Sequence, residues 1–165
     1  MKISIKSIRI LVIVAVLSVV AAVVTLVFTD GSDVEFTPPP FEENAVLGEP
    51  SVPDGLGYNE LWQEGMTYRF SVCGNVTTNG REATVYFTNP EANDAWLKLR
   101  VLDQNGKVIG ETGLVKPGEY VETVTLFENY PVGTTLILKI MGYEPETYHS
   151  VGAVSLRTSI GIAFK

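Results

Sequence analysis

One apolar run near the amino terminus constrains this chain more than any other feature of its sequence. Between residues 8 and 28, 18 of 21 positions are apolar, and the interruptions are Arg9, Ser18 and Thr25. A helix rises about 1.5 Å per residue, so this run can span the hydrocarbon core of a bilayer, which is roughly 30 Å thick. A helix also pairs its backbone groups internally, as lipid requires. The run is therefore predicted to be a single transmembrane helix.

Charges on either side of the run predict its orientation. Lys2, Lys6 and Arg9 lie at its start, and acidic residues follow it from Asp30 onward. The positive-inside rule places residues 1–7 in the cytoplasm, so the protein is predicted to be a single-pass protein of the cell membrane with an extracellular carboxyl-terminal domain. Two alternatives remain open, a cleaved signal peptide and a buried soluble helix. Small residues at 20–22 suit a cleavage site, but the apolar run exceeds the usual 7 to 15 residues of a signal peptide.

The net charge of the chain also limits the classes of partner. The total is -7, and because the three basic residues before the anchor contribute +3, the remainder carries -10. Binding of nucleic acid requires clustered Lys and Arg, so a nucleic-acid partner is not expected. The single cysteine, Cys73, excludes an intrachain disulfide and a thiolate zinc cluster. No cofactor and no metal ion are predicted.

The composition changes abruptly after the apolar run. Five of the nine prolines lie between residues 31 and 57, together with acidic residues that follow no regular apolar period. Proline removes a backbone donor and favours the polyproline II conformation. Residues 29–57 are therefore predicted to form an extended linker without a partner of its own, and a docking motif around Phe36 and Phe41 is the alternative. Residues 58–165 are predicted to form a folded extracellular domain.

Alternating apolar residues in this domain predict strands. Residues 97, 99 and 101, for example, are apolar, whereas Lys98 and Arg100 between them are charged. A period of two is typical of a strand that buries one face. Residues 59–63 are compatible with one helical turn. Seven strands are predicted, at residues 66–73, 83–88, 96–102, 107–111, 120–126, 135–143 and 151–162.

Seven short antiparallel strands separated by turns fit an all-β domain with an immunoglobulin-like sandwich. The segments 87–90, 96–110 and 114–120 support this view, because they combine an asparagine after a strand, an Asn-Gly hairpin and a Pro-Gly turn. In these features the chain resembles immunoglobulin-like modules of membrane-anchored extracytoplasmic proteins from Gram-positive bacteria. The resemblance implies a fold and a surface location, and it assigns no functional residue.

Two loops contain the candidate binding residues. Residues 89–94 connect the second and third predicted strands, and residues 143–149 connect the last two. In an immunoglobulin-like sandwich both loops lie at the same end, so we expect their acidic and aromatic side chains to converge. The candidates are Glu91, Asn93, Asp94, Trp96, Glu144, Glu146, Tyr148 and His149.

Several functions compete for these residues. Aromatic side chains at loop ends suit recognition of an envelope protein or a cell-wall glycan. The same charged residues also suit a simple solvent-exposed cap, a calcium-dependent adhesion module or, with paired carboxylates, a glycosidase. The chain contains no G-x-S-x-G motif that would supply a nucleophile for His149, so an enzyme is not expected. The leading hypothesis is a binding protein, and the alternative is an accessory subunit of an envelope complex that interacts through its transmembrane helix.

Overall fold

The computed structural model describes residues 36–62 and 64–162. Within these ranges every regular element is a strand, so the predicted all-β class is confirmed. Among these residues there is no helix long and apolar enough to cross a membrane. The predicted anchor at residues 8–28 lies outside the described ranges. The strands are β1 (Val46–Leu47), β2 (Tyr58–Leu61), β3 (Phe70–Cys73), β4 (Val76–Asn79), β5 (Glu82–Asn89), β6 (Trp96–Asp103), β7 (Val108–Glu111), β8 (Glu119–Thr125), β9 (Thr135–Tyr143) and β10 (Ser150–Gly161).

The ten strands form one curled sheet with two halves, which we call the first and second layers. In the first layer, β3 and β4 pair with one edge of β5, β8 pairs with the other, and β2 and β1 lie outermost. In the second layer the order is β10, β9, β6 and β7. The end of β10 joins the layers, because Ile160 and Gly161 pair in parallel with β4.

Apolar side chains from both layers form a single core. Phe70 and Phe87 of the first layer and Leu99 and Ile140 of the second are completely buried and belong to one cluster. Burial of such side chains stabilises a fold by about 1.5 to 3 kcal/mol each. Tyr68 links the layers further, because its hydroxyl donates to the carbonyl oxygen of Ile140 at 3.1 Å. The arrangement is sandwich-like.

Each predicted strand corresponds to an observed strand, and three further strands are present. A helical turn, with which residues 59–63 were compatible, is not seen at residues 58–61, which form β2 and pair with β3. Tyr58 holds β2 in place through a 2.7 Å hydrogen bond between its hydroxyl and that of Thr88. The other additional strands are β1, on β8, and β4, which with β3 forms an interrupted strand along β5.

Residues 38–57 of the predicted linker lie in the same compact unit as the strands. This unit begins at Pro38. The amide of Glu42 donates to the Leu114 carbonyl at 2.9 Å, and the amide of Leu114 donates to the Pro40 carbonyl at 2.9 Å. Proline lacks a donor but keeps its acceptor, so an extended proline-rich segment can still pair along one edge. We call residues 40–42 the docked segment.

Candidate binding surface at the loop end

Three connections and the docked segment lie at one end of the sandwich, which we call the loop end. The connections are residues 90–95 between β5 and β6, residues 112–118 between β7 and β8, and residues 144–149 between β9 and β10. Antiparallel pairing determines this arrangement, because Trp96 at the start of β6 lies opposite Tyr143 at the end of β9. Side chains that are distant in sequence therefore meet here.

An aromatic cluster of Phe41, Trp96 and Tyr148 occupies the loop end. The ring centroids of Phe41 and Trp96 are 4.8 Å apart in an edge-to-face arrangement. Those of Trp96 and Tyr148 are 5.4 Å apart. The Nζ atom of Lys116 lies 4.5 Å from the centroid of Phe41, which is 38% exposed. The three rings come from three separate segments and remain partly accessible to solvent.

The connection between β9 and β10 holds Tyr148 against Trp96. The amide of Tyr148 donates to the Glu144 carbonyl at 3.0 Å, and the hydroxyl of Thr147 donates to the Glu144 carboxylate at 2.7 Å. Glu146 and Tyr148 have positive φ angles of 67° and 58°. This conformation costs a residue other than glycine about 1 to 2 kcal/mol, so the loop is held by its contacts in an unfavourable backbone geometry.

His149 and Glu144 are neighbours, but they lie in solvent. The Nδ1 atom of His149 is 3.7 Å from a Glu144 carboxylate oxygen, and the side chains are 81% and 54% exposed. This distance exceeds that of a hydrogen bond, and water weakens the attraction between exposed charges. The pair therefore contributes polarity to the loop surface and little rigidity.

The structure buries Asn93, one of the predicted binding residues. Its side-chain amide nitrogen donates to the side-chain Oδ1 of Asn89 at 2.7 Å and to the backbone carbonyl of Arg69 at 2.6 Å. Asn89 is completely buried and donates to the carbonyls of Ala95 and Val115, both at 2.9 Å. These bonds satisfy polar groups where the chain crosses between the layers. Asn93 is thus a structural residue of the loop end.

The predicted acidic side chains do not gather into one group. Glu91 lies beside Gly118 and lines a groove of about 450 Å³ on the first layer, together with Tyr58. Glu144 is engaged by Thr147, whereas Asp94 and Glu146 are exposed. Within residues 36–62 and 64–162, no three His, Cys, Asp or Glu side chains are close enough to hold a metal ion. The four carboxylates therefore do not converge as the calcium hypothesis requires.

The outer face of the second layer adjoins the aromatic cluster and carries an ion network. Glu111 accepts from Arg100 at 2.8 Å and forms an ion pair with Lys98 at 3.2 Å. Burial alone would raise the pKa of Glu111, but the hydrogen bonds and charges of Arg100 and Lys98 outweigh it and lower the pKa below its usual value. Lys98 is only 6% exposed, and its ion pair with Glu111 places a carboxylate beside this nearly buried side chain.

The sequence does not reveal Lys116 as a member of the surface, and it suggests Phe41 only through the alternative of a docking motif in the linker. Phe41 is 55 positions from Trp96 and lies in a segment whose composition predicts a free linker. The only local sign is its place as an aromatic residue directly after three prolines, which is compatible with either a free or a docked segment. The contact between Phe41 and Trp96 depends on pairing between segments that are distant in sequence, and a periodic pattern of apolar residues does not predict such pairing.

Comparisons with known proteins give partial likenesses to solved structures. No protein-family model matches it, and no curated protein matches it. A β-glucuronidase from Lactobacillus rhamnosus is 20% identical over 54% of this chain and 15% of its own, with a TM-score of 0.40. CopC from Methylosinus trichosporium OB3b is 13% identical over 55% of this chain and 85% of its own, with a TM-score of 0.34. A Ruminococcus gnavus β-glucuronidase is 18% identical, with a TM-score of 0.37, over 55% of this chain and 15% of its own. The chain thus corresponds to about 15% of the length of these two glucuronidases.

Proposed function

We propose that this chain is a non-enzymatic binding protein of the cell surface. In this proposal residues 8–28 anchor it in the membrane with the amino terminus in the cytoplasm, and an extracellular immunoglobulin-like sandwich binds another macromolecule, an envelope protein or a cell-wall glycan. The binding surface is the loop end. The observation that carries the proposal is the partly exposed cluster of Phe41, Trp96 and Tyr148.

The construction of the cluster supports a recognition role. Binding hot spots are enriched in aromatic residues because these offer a large rigid surface with few rotatable bonds. Here the rings of Trp96 and Tyr148 are held together although Tyr148 adopts an unfavourable positive φ of 58°. Unfavourable backbone conformations of this kind concentrate at functional sites, where surrounding contacts maintain them.

The polar residues of the loop end support binding more than catalysis. A general acid or base needs a partner within hydrogen-bond reach and a setting that shifts its pKa. His149 is 81% exposed, and its distance to Glu144 is 3.7 Å. Asn93, which the sequence offered as a surface ligand, is occupied by backbone and side-chain hydrogen bonds. The accessible groups of the surface are therefore aromatic rings and isolated charges.

Sedimentation with purified bacterial cell walls tests the proposal. Full-length protein in detergent would be mixed with Gram-positive wall fractions before and after protease treatment, so that protein and glycan partners are separated. Trp96→Ala combined with Tyr148→Ala should weaken binding at least about tenfold, because truncation of a hot-spot aromatic typically costs more than 1.4 kcal/mol. The matched control is Phe127→Ala, since Phe127 is 59% exposed and follows β8 at the opposite end. Equal binding by the double variant and the control would refute the proposed surface.

A further inference from the structure

The charges of the sandwich are divided between its two layers. The strands of the second layer carry four basic residues and two acidic ones, Asp103 and Glu111, whereas among the described residues the strands of the first layer carry four acidic residues and no basic one. Asp103 is used in the hairpin, where its carboxylate accepts from the amides of Asn105 and Lys107. The basic residues of the second layer are Lys98, Arg100, Lys139 and Arg157.

Regular pairing places these basic residues on one outward face. Leu97, Leu99 and Val101 are completely buried in the core, so the alternate residues of β6 point outward. The register of β6 and β9 has no bulge, and it pairs outward residues in four rows. From the loop end, the rows are Trp96 with Tyr143, Lys98 with Met141, Arg100 with Lys139, and Leu102 with Ile137. On β10, Arg157 lies opposite Ile137, and Ser155 lies opposite Lys139. We call this surface the basic face.

The basic face is not electrically balanced by the protein itself. Arg100 and Lys139 lie directly opposite each other, and like charges in this position destabilise a sheet. One carboxylate, that of Glu111, forms ion pairs with both Lys98 and Arg100. Within the described part of the chain, neither Lys139 nor Arg157 forms an ion pair with a carboxylate. A chain with a net charge of -7 thus keeps an excess of positive charge on this face.

We infer that the basic face binds an acidic polysaccharide, a glycan chain that carries repeated carboxylate or phosphate groups. This inference rests on the proposed binding role and names the class of ligand. Trp96 and Arg100 are four residues apart on one strand, which corresponds to about 13 Å. One glycan chain lying along β6 can therefore pack an apolar sugar face on Trp96 and place its anionic groups beside Arg100, Lys139 and Arg157.

The geometry favours a glycan over other anionic partners. The face is formed by side chains in the middle of paired strands, so an acidic peptide lying across it would find no backbone partners for its own amides. An anionic membrane would favour apolar side chains that project from the surface, but the apolar side chain at the centre of the face, Met141, is only 8% exposed. A polysaccharide carries its polar groups on its periphery, so it needs neither backbone hydrogen-bond partners nor projecting apolar side chains.

Binding of polygalacturonate to the full-length protein in detergent tests the inference. We expect binding that weakens as salt is added, because each ion contact releases counterions from the polymer. Lys139→Gln combined with Arg157→Gln should weaken binding at least about tenfold and reduce the salt dependence. The matched control is Arg81→Gln combined with Lys107→Gln, which removes the same charge from turns at the other end and should change affinity less than twofold.

Several outcomes would overturn the inference. The protein would bind a neutral galactan or single-stranded DNA as tightly as polygalacturonate, or the two double variants would lose the same amount of affinity. Binding to phosphatidylglycerol vesicles without binding to polygalacturonate would also overturn it. Failure of the loop-end proposal is distinguishable. If Trp96→Ala with Tyr148→Ala abolishes wall binding while Lys139→Gln with Arg157→Gln does not, the loop end binds a ligand of another class. If instead Lys139→Gln with Arg157→Gln abolishes wall binding while Trp96→Ala with Tyr148→Ala does not, the basic face is supported as a binding site and the aromatic site is refuted.

Discussion

Substitution of Gly113 by alanine should release the docked segment from the sandwich. A Cβ atom at Gly113 would lie 2.6 Å from the amide nitrogen of Glu42 and 2.7 Å from the carbonyl carbon of Phe41. Both are backbone atoms, so no side-chain rotation can relieve the overlap. To reach an ordinary contact of 3.4 Å, the docked segment must move by about 0.8 Å.

That displacement is enough to break the contacts that hold the segment. Two backbone hydrogen bonds join it to Leu114, each 2.9 Å long, and the Gly113 amide donates to the Glu42 carboxylate at 2.7 Å. Lengthened by about 0.8 Å, they reach or exceed the limit of a useful hydrogen bond. Three such bonds contribute about 2 to 4 kcal/mol together, and the contact of Phe41 with Trp96 adds about 1 kcal/mol. The loss concerns local docking, because the core cluster does not include Phe41.

Hydrogen exchange measured by mass spectrometry on the full-length protein can detect this release. A docking free energy lower by about 3 kcal/mol corresponds to opening that is on the order of a hundredfold more frequent, so the amides of Glu42 and Leu114 should exchange correspondingly faster. Gly161→Ala is the control, since a Cβ there would lie 3.7 Å from the nearest atom. If exchange at both amides stays within threefold of the wild type in Gly113→Ala, the docked segment is not held as described.

Three further predictions concern single buried or paired groups. Asn89→Ala removes the side chain that bridges Ala95 and Val115, and it should lower the free energy of unfolding in urea by roughly 2 to 4 kcal/mol; a change below about 0.5 kcal/mol would contradict the bridging role. Because the folded pKa of Glu111 is lowered, its stabilising contribution is complete above the unfolded pKa and is lost as the pH falls through the folded pKa, so the difference in urea midpoint between wild type and Glu111→Gln should be larger at pH 7 than at pH 3; a constant difference would exclude this linkage. Burial raises the pKa of Cys73 to about 11, so iodoacetamide at pH 8 should label this thiol only when the protein is unfolded, and rapid labelling of the native protein would disprove its burial.

Alternation predicted the long strands well because each of them buries one face against a single core. Strand β9 was predicted with its observed bounds, and β6 differs by one residue. Strands β1, β2 and β4 have two to four residues, which is too short for a period of two to show. Their existence depends on partners, since β2 pairs with β3 and β1 with β8. Local sequence does not contain that information.

The candidate site was predictable in part for a related reason. The meeting of Trp96 and Tyr148 was expected because an immunoglobulin-like sandwich places their two loops at the same end, and the antiparallel pairing of β6 with β9 brings them there. The expected convergence of carboxylates does not reach metal-binding geometry, because among the described residues no three His, Cys, Asp or Glu side chains are close enough to hold a metal ion. Asn93 resembles any polar loop residue in sequence, and only the position of Asn89 beneath it makes it a structural residue.

Trp96 belongs to both proposed surfaces, the loop end and the basic face, and its position indicates the path that a bound glycan would follow. Its ring contacts Phe41 and Tyr148 at the loop end, and its strand position makes it the first row of the basic face. A glycan that packs on Trp96 can extend along β6 toward Lys98 and Arg100, the next rows of the basic face. Because Phe41 belongs to that segment, undocking in Gly113→Ala changes one wall of the aromatic site and leaves the basic rows intact. Affinity for an acidic glycan should therefore fall in this variant while its salt dependence is preserved, whereas neutralising Lys139 and Arg157 should lower both the affinity and its salt dependence.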